Sequence, residues 1–222
     1  MKCLVCGAQS KACPFPRGVT PVLGETKFKC ARCSHTWLRL SEVAAKTFHH
    51  TEVTWRYNDF QIRDGYHNTR IDIIKKALKW PPKSALDVGC GDGRFLEIVN
   101  ADTMVGVDLN DEIPDNTEFE YLKGSFLDVE INKKFDLVTS FHSLEHVKDA
   151  IGFFKKLQSL SKSVIAIEVP VRRKMGRFNG HIHGFNGNSF NKFIELHKGK
   201  FETIATGKNI QNSSSTWIGR RS

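Results

Sequence analysis

Four cysteines near the beginning of the chain have the spacing of a metal site. Cys3 and Cys6 form one C-x-x-C pair, and Cys30 and Cys33 form a second pair after 23 intervening residues. Two short knuckles can bring four thiolates around one ion, and four thiolates fill the tetrahedral shell of zinc. The spacing therefore predicts a zinc ribbon with a structural ion. His35, just after the second pair, is expected at the surface.

A glycine-rich loop in the middle of the chain has the features of a cofactor site. Residues 84–88 predict a buried strand, and the loop 89–93 (Gly-Cys-Gly-Asp-Gly) joins it to a helix. Alternate glycines let the backbone turn sharply beside a ligand. Asp87 could hold an ammonium group, and Asp108, at the end of the next predicted strand, could bind both hydroxyls of a ribose. The D-x-G-x-G-x-G spacing disfavours NAD, whose usual loop is G-x-G-x-x-G.

Histidines and a glutamate follow two later predicted strands. They are His142, Glu145 and His146 after the strand over residues 135–140, and His181 and His183 after the strand over residues 163–169. Ligands of open α/β sheets bind at the carboxyl edge of the strands, so these side chains should face an acceptor. A histidine could remove the proton of an acceptor hydroxyl, or the group could bind a divalent ion that lowers the hydroxyl's pKa.

Together these motifs resemble class I S-adenosylmethionine-dependent methyltransferases over residues 83–222. The likeness is greatest to the branch with an E-H-V segment after the fourth strand, which is Glu145-His146-Val147 here. That branch includes ubiquinone-biosynthesis O-methyltransferases and many sugar methyltransferases. The resemblance implies an α/β fold, with a Rossmann-like sheet of seven strands in the order 3-2-1-4-5-7-6 and strand 7 antiparallel. The small zinc ribbon would precede this sheet, and S-adenosylmethionine would be the cofactor.

The resemblance also implies roles for residues around that cofactor. The loop would surround the methionine part, Asp108 would hold the ribose, and Leu109 would lie beside the adenine. Ser125 and Phe126 stand where the family places adenine contacts, and Phe141 would back the sulfonium. The full implied set is Asp87, Gly89, Cys90, Gly91, Gly93, Asp108, Leu109, Ser125, Phe126 and Phe141.

On the acceptor side we predict four catalytic residues: His142, Glu145, His146 and His183. The cofactor supplies the activated methyl group, so the protein mainly aligns and desolvates the reactants. The H-x-x-E-H spacing, with a later histidine and phenylalanine, resembles one class of RNA 2′-O-methyltransferases. That resemblance implies a second divalent metal at the acceptor site. The alternative is a single histidine acting as the base.

Periodicity, proline and charge outline the elements that must position these residues. Apolar residues at helical spacing from Ile71 to Leu78 predict a helix that Pro81 and Pro82 end. Later patterns predict a helix over residues 188–198 and strands over residues 201–206 and 215–220. The resulting organisation is a zinc ribbon over 1–40, a helical connector or lid over 41–82 and a methyltransferase domain over 83–222.

Length and hydropathy limit the class of protein. A chain of 222 residues can hold one catalytic core and a small module, but not two large domains. No apolar run approaches the ~20 residues of a membrane span, and the first residues do not form a signal peptide. We therefore expect a soluble cytoplasmic protein with no membrane partner.

The net charge of +9 is distributed unevenly along the chain. It is +8 over residues 1–82, −7 over 83–170 and +8 over 171–222. The basic ends are either solvated or face an anionic partner. Four cations within residues 171–177 suit phosphates. We predict methyl transfer to oxygen or carbon of a phosphate-bearing small molecule, such as a nucleotide-linked sugar. The alternatives are an RNA methyltransferase, acting on ribose 2′-O or base, and a non-catalytic zinc-ribbon binding module.

Overall fold

A computed structural model describes most of the chain as two β-sheets flanked by helices. It describes residues 1–14, 25–39, 60–110, 117–171, 181–208 and 214–222. Predictions for the first part of the connector and for the basic segment after the fifth strand of the methyltransferase sheet fall on residues 40–59 and 172–180. Those predictions lie outside the described residues.

The larger sheet carries the cofactor loop and the histidine segments. With strands numbered in chain order, it consists of β4 (Ser84–Val88), β5 (Thr103–Asp108), β6 (Glu120–Lys123), β7 (Phe135–Phe141), β8 (Ser161–Pro170), β10 (Phe201–Lys208) and β11 (Ser214–Arg221). The order across the sheet is β6-β5-β4-β7-β8-β11-β10, and β11 runs antiparallel to both neighbours. This is the order 3-2-1-4-5-7-6, so the predicted fold is confirmed.

The central strands are apolar because both faces of the sheet are covered. Every residue of β4 is buried, and so is most of β5. Parallel strands packed on both faces read as nearly continuous apolar runs, which is why the sequence located them. The carboxyl ends of the parallel strands β4, β5, β7 and β8 lie at one edge of the sheet, so the residues that directly follow β4 and β7 are neighbours there.

The described helices pack beside this sheet. They are α1 (Phe60–Ile74), α2 (Arg94–Val99), α3 (Ala150–Leu160) and α4 (Gly187–His197). The predicted helix before the prolines ends at Ile74, and the chain continues in turns. The N-terminus of α4 is fixed by a reciprocal pair of hydrogen bonds between Asn186 and Ser189. No helix in the described ranges has the length and apolarity needed to cross a membrane.

The smaller sheet joins the N-terminal module to the methyltransferase core. Its order is β1 (Ser10–Ala12), β2 (Thr26–Cys30), β3 (Thr36–Arg39) and β9 (His183–Gly184). Strand β9 follows β3 by more than 140 residues in the chain, after the first five strands of the larger sheet. It pairs with the edge of β3, which would otherwise be unpaired. A continuous hydrophobic cluster extends from Val5 and Trp37 to Phe185 and Trp217.

Candidate functional site

The loop after β4 forms a sharp turn that only glycine accommodates easily. Gly89, Gly91 and Gly93 have φ values of 79°, 56° and 80°, in the left-handed region. The amide of Gly89 donates to the carbonyl of Val107 at 2.7 Å, which fixes the loop against β5. A Cβ at Gly93 would overlap the ring of Phe119. Conformation and close approach both require glycine at position 93.

Asp108 ends β5 and supports the glycine loop directly. Its Oδ2 accepts from the amide of Gly91 at 2.8 Å, and its Oδ1 accepts from the amide of Asn110 at 3.0 Å. A carboxylate has about four acceptor positions, so lone pairs remain for ribose hydroxyls. Leu109 beside it is 66% exposed, which leaves its side chain open to a ligand at this edge.

Asp87 is buried at the end of β4. The hydroxyl of Thr139 donates to its Oδ1 at 2.6 Å. Burial raises the pKa of this carboxyl to about 6, against the opposing effects of the Thr139 hydrogen bond and the positive charge of Arg70. A cationic ligand at this position would favour the ionised form.

Two predicted cofactor residues have side chains in the core. The thiol of Cys90 is buried against Gly106, and burial raises its pKa. The ring of Phe126 packs edge-on against Phe153, with centroids 5.0 Å apart. Ser125 accepts two backbone hydrogen bonds within a turn. The placement therefore supports packing roles for the side chains of Cys90 and Phe126.

Phe141, at the end of β7, lies between the core and the connector helix. The ring of Phe95 meets it edge-on at 5.0 Å. The guanidinium of Arg70, from α1, lies 4.3 Å from the centroid of Phe141 and forms a 2.7 Å ion pair with Glu168. The connector helix therefore reaches the edge of the sheet where the loops meet.

Glu168 joins three elements and was missed by the sequence analysis. It accepts from Arg70, lies 2.9 Å from Nε2 of His142, and accepts from the hydroxyl of Thr216 at 3.0 Å. Burial would raise its pKa, but the His142 hydrogen bond and the charge of Arg70 outweigh this and lower it to about 2. A glutamate within the apolar run of β8 was the available signal, because a glutamate is rarely buried unless it is paired.

Three of the four predicted catalytic residues come together with His181. This acceptor-side cluster consists of His142, Glu145, His146 and His181. The carboxylate oxygen Oε1 of Glu145, on a buried turn, lies 3.8 Å from Nδ1 of His142, 3.8 Å from Nε2 of His146 and 3.9 Å from Nε2 of His181. His142 has a φ of 58°, unusual for a residue other than glycine, and strained backbone is typical of functional sites.

His183 lies elsewhere. Its Nδ1 is 3.1 Å from Nε2 of His35, and its Nε2 is 2.9 Å from the carbonyl of Val147. Burial lowers its pKa to about 4, partly offset by the carbonyls of Val147 and Lys148. This placement does not support an acceptor-side role for His183. His35 is fully buried, so its predicted surface position is wrong, because it fills the junction between ribbon and core.

The four cysteines of the C-x-x-C pairs converge at the N-terminal module. Their sulfur atoms all lie within 4.8 Å of one another, with 3.6 Å between Cys3 and Cys33 and 3.5 Å between Cys6 and Cys30. Burial would raise the pKa of Cys30, but the backbone amides of Cys33 and Arg32 and two neighbouring thiols lower it to about 6. This donor set fits the four-thiolate shell of structural zinc.

Comparison with known proteins identifies one family, and curated relatives that are similar over only part of their length. The chain matches the family model of a methyltransferase domain over residues 62–195. It is 28% identical over 107 residues to a ubiquinone biosynthesis O-methyltransferase of Pseudomonas fluorescens (strain Pf0-1), covering 42% of this chain and 46% of that protein. The chain spans about half the length of the curated relatives it matches.

Solved structures share the fold at low sequence identity. The N-methyltransferase NodS of Bradyrhizobium japonicum WM9, in complex with S-adenosyl-L-homocysteine, has a TM-score of 0.57 at 12% identity, covering 79% of this chain and 95% of that one. Magnesium protoporphyrin IX methyltransferase (ChlM) of Synechocystis PCC 6803, with bound S-adenosylmethionine, has a TM-score of 0.54 at 16% identity, covering 72% and 82%. With the family match over more than half of its length, the chain belongs to the class I S-adenosylmethionine-dependent methyltransferases.

Proposed function

We propose that this methyltransferase acts on an oxygen or carbon atom of a phosphate-bearing small molecule, with a hydroxyl oxygen preferred. The observation that carries the proposal is the pairing of His142 with the buried carboxylate of Glu168, beside the acceptor-side cluster. A hydroxyl must lose its proton during methyl transfer, so it needs a base or an acidifying ion. The similarity to an O-methyltransferase supports the same choice.

His142 is the proposed base. The carboxylate of Glu168 can only accept, so a hydrogen lies on Nε2 of His142, and to act as a base the imidazole must carry no second hydrogen. Its Nδ1 then keeps a lone pair and faces the cluster, 3.8 Å from Glu145. A buried carboxylate that fixes the tautomer of a histidine base is the arrangement of serine hydrolases, here applied to a hydroxyl acceptor.

The cofactor end of the proposal uses the glycine loop. The ionised carboxyl of Asp87 would hold the ammonium group of the methionine part, and Asp108 would hold the ribose. The left-handed glycines allow the backbone to approach the ligand closely. These residues bind and orient the methyl donor, and the cofactor itself supplies the activated methyl group.

A divalent ion at the cluster is a further part of the proposal. Glu145, His146 and His181 each offer one ligand atom, and these three atoms lie within 4.8 Å of one another. A carboxylate with two imidazoles suits divalent transition ions, so the residues fit such an ion. When bound, it would lower the pKa of an acceptor hydroxyl. His142 would still receive the proton.

Zinc in the ribbon is proposed as structural. Four cysteine ligands leave no open coordination position, so this ion would fold the module and would not activate water. Removing Cys30 should abolish zinc retention. A soluble Cys30→Ser protein that melts like the wild type would contradict a structural ion.

The proposal that the acceptor carries a phosphate is based on the positive charge of one segment. The chain between Pro170, at the end of β8, and His181 of the cluster contains Arg172, Arg173, Lys174 and Arg177. Both described ends of this segment lie at the acceptor edge, which favours an anionic acceptor. The basic terminal regions equally suit an RNA backbone, so RNA is the second candidate.

Labelling separates these candidates. The purified enzyme is incubated with methyl-labelled S-adenosylmethionine and either small-molecule or RNA fractions, with and without nuclease. We expect label in a nuclease-resistant small molecule. The label should fall by about 10²-fold or more in His142→Ala, while cofactor affinity measured by calorimetry stays within twofold. Label that nuclease releases would assign RNA, and absence of both label and cofactor binding would assign a binding module.

A further inference from the structure

The segment that carries His181 is tied to both the ribbon and the acceptor-side turn. Ile182 makes both connections with its backbone. Its carbonyl accepts from the amide of Leu38 in β3 at 2.9 Å, and its amide donates to the carbonyl of Glu145 at 2.9 Å. The backbone of Ile182 therefore links strand β3 of the ribbon to the backbone of Glu145, whose carboxylate is at the centre of the cluster.

His183 makes a second connection through its side chain. The carbonyl of Val147 can only accept, so the hydrogen of the neutral imidazole lies on Nε2 of His183. Its Nδ1 is then an acceptor, and His35 must donate from Nε2 across the 3.1 Å separation. Both rings are buried. The two hydrogen bonds therefore form a solvent-shielded chain from His35 in the ribbon, through His183, to the carbonyl of Val147, the residue after His146.

The position of His35 depends on the cysteine knuckle. The amide of Cys30 donates to the carbonyl of His35 at 2.9 Å, and the amide of Ser34 donates to the carbonyl of Cys30 at 3.0 Å. The ring of His35 also stacks on Trp37, with centroids 5.6 Å apart. The knuckle that carries Cys30 and Cys33 therefore sets the place from which His35 donates.

We propose that the ribbon is a positioning element of the acceptor-side cluster, acting through His35, His183 and Ile182. These residues hold the turn with Glu145 and His146 against the segment with His181, so that the three side chains stay together. The inference rests on the proposed function only in calling this cluster the acceptor side. The physical connection itself can be measured without an acceptor.

Two substitutions of His35 separate hydrogen bonding from packing. His35→Phe keeps a ring against Trp37 and Phe185 but loses the donor to His183. His35→Gln loses the ring but keeps an N–H donor at a similar reach. His197→Phe is the matched control, because His197 packs on Phe193 and reaches the ribbon at a different place, the backbone of Val5.

The readout is amide hydrogen exchange of peptides covering residues 142–148 and 181–186 in the zinc-loaded full chain. We expect at least tenfold faster exchange in both peptides for His35→Phe, and exchange within twofold of the wild type for His35→Gln and His197→Phe. The imidazole ¹⁵N signals of His146 and His181 should move in His35→Phe alone. Zinc content and affinity for S-adenosylmethionine should stay within twofold in all three variants.

The opposite pattern would overturn the proposal. If His35→Gln loosens the acceptor segments and His35→Phe does not, His35 only packs. If neither variant changes exchange over residues 142–148, the ribbon does not position the cluster. Labelling tests the proposed function separately: loosening by His35→Phe without any methyl transfer would leave the positioning role standing and remove the assigned reaction.

Discussion

Two buried carboxyl groups at the carboxyl edge of the sheet have opposite electrostatic environments. Asp87 has a hydroxyl partner and a pKa raised to about 6, whereas Glu168 meets Arg70 and His142 and has a pKa lowered to about 2. The difference follows from charge, since both are buried but only Glu168 has two basic side chains within hydrogen-bonding distance. We therefore expect the pKa of Asp87 to control how cofactor affinity depends on pH, and the pKa of Glu168 to control how stability depends on pH.

Cofactor affinity should weaken in acid because of Asp87. Its neutral form is favoured in the ligand-free protein below about pH 6, and a cationic ammonium group requires the carboxylate. About one tenth of the protein would be ionised at pH 5, so the Kd should rise about tenfold relative to pH 8. Calorimetry in buffers of different ionisation enthalpy should show proton release at pH 5. In Asp87→Asn, binding should be weak and independent of pH over this range.

Glu168→Gln should destabilise the protein only where Glu168 is ionised. The folded-state pKa of about 2 lies below the ordinary value of 4.5, so its stabilisation is fully present above pH 4.5 and is lost as the pH falls toward 2. The shift corresponds to about 3 kcal/mol at pH 7. Urea unfolding at pH 7 and pH 3 measures it. An equal loss at both pH values would contradict the ionic origin. The comparison variant Thr216→Val removes only the hydroxyl hydrogen bond to Glu168 and should cost about 1 kcal/mol at pH 7.

At the scale of elements, the sequence predicts the long buried strands well, but it does not predict the short strand β9 or its pairing with β3. Apolar runs identified β4, β5, β7 and β8 to within about two residues, because strands buried on both faces show little polar interruption. Strand β9 has only two residues and no apolar periodicity, so nothing local marks it. It is a strand because β3 offers an unpaired edge, which is a tertiary property. The contacts of His183 and Glu168 are also set by long-range pairing, of β9 with β3 for His183 and of β8 with β7 and β11 for Glu168.

The glycine loop gives a prediction at this scale. Gly91 and Gly93 are both left-handed, but a Cβ at Gly91 meets nothing within 4 Å, whereas one at Gly93 overlaps Phe119. Gly91→Ala should cost roughly 1–2 kcal/mol from backbone strain, and Gly93→Ala should cost at least 2 kcal/mol more. Thermal unfolding of the ligand-free variants measures the difference. Adding Phe119→Leu to Gly93→Ala should recover part of the loss, and no recovery would contradict the steric cause.

At the scale of the molecule, the ribbon and the methyltransferase domain behave as one packing unit. The sequence divided the chain at residue 40, because composition and motif change there. The described structure shares a sheet and a hydrophobic cluster across that boundary. A boundary drawn from motifs marks a change of chemistry, and cooperativity is decided by the packed surfaces between the parts.

With zinc bound at the proposed four-cysteine site, the protein should therefore unfold in one calorimetric transition. Trp37→Ala, in the buried core of the ribbon, should cost about 3–5 kcal/mol. It should lower that single transition by roughly 10 °C. Leu4→Ala, at an exposed position, is the control and should have little effect. A separate low-temperature transition assigned to the ribbon would show that the two parts unfold independently.

The late position of β9 in the chain has a consequence for biosynthesis. The edge of β3 is complete once residue 39 leaves the ribosome, but its partner follows only at His183. During that interval the nascent ribbon has an open edge that a second chain's copy of β9 would fit equally well. Exchange of this short strand between neighbouring polypeptides on one polysome is thus a misassembly that this architecture permits.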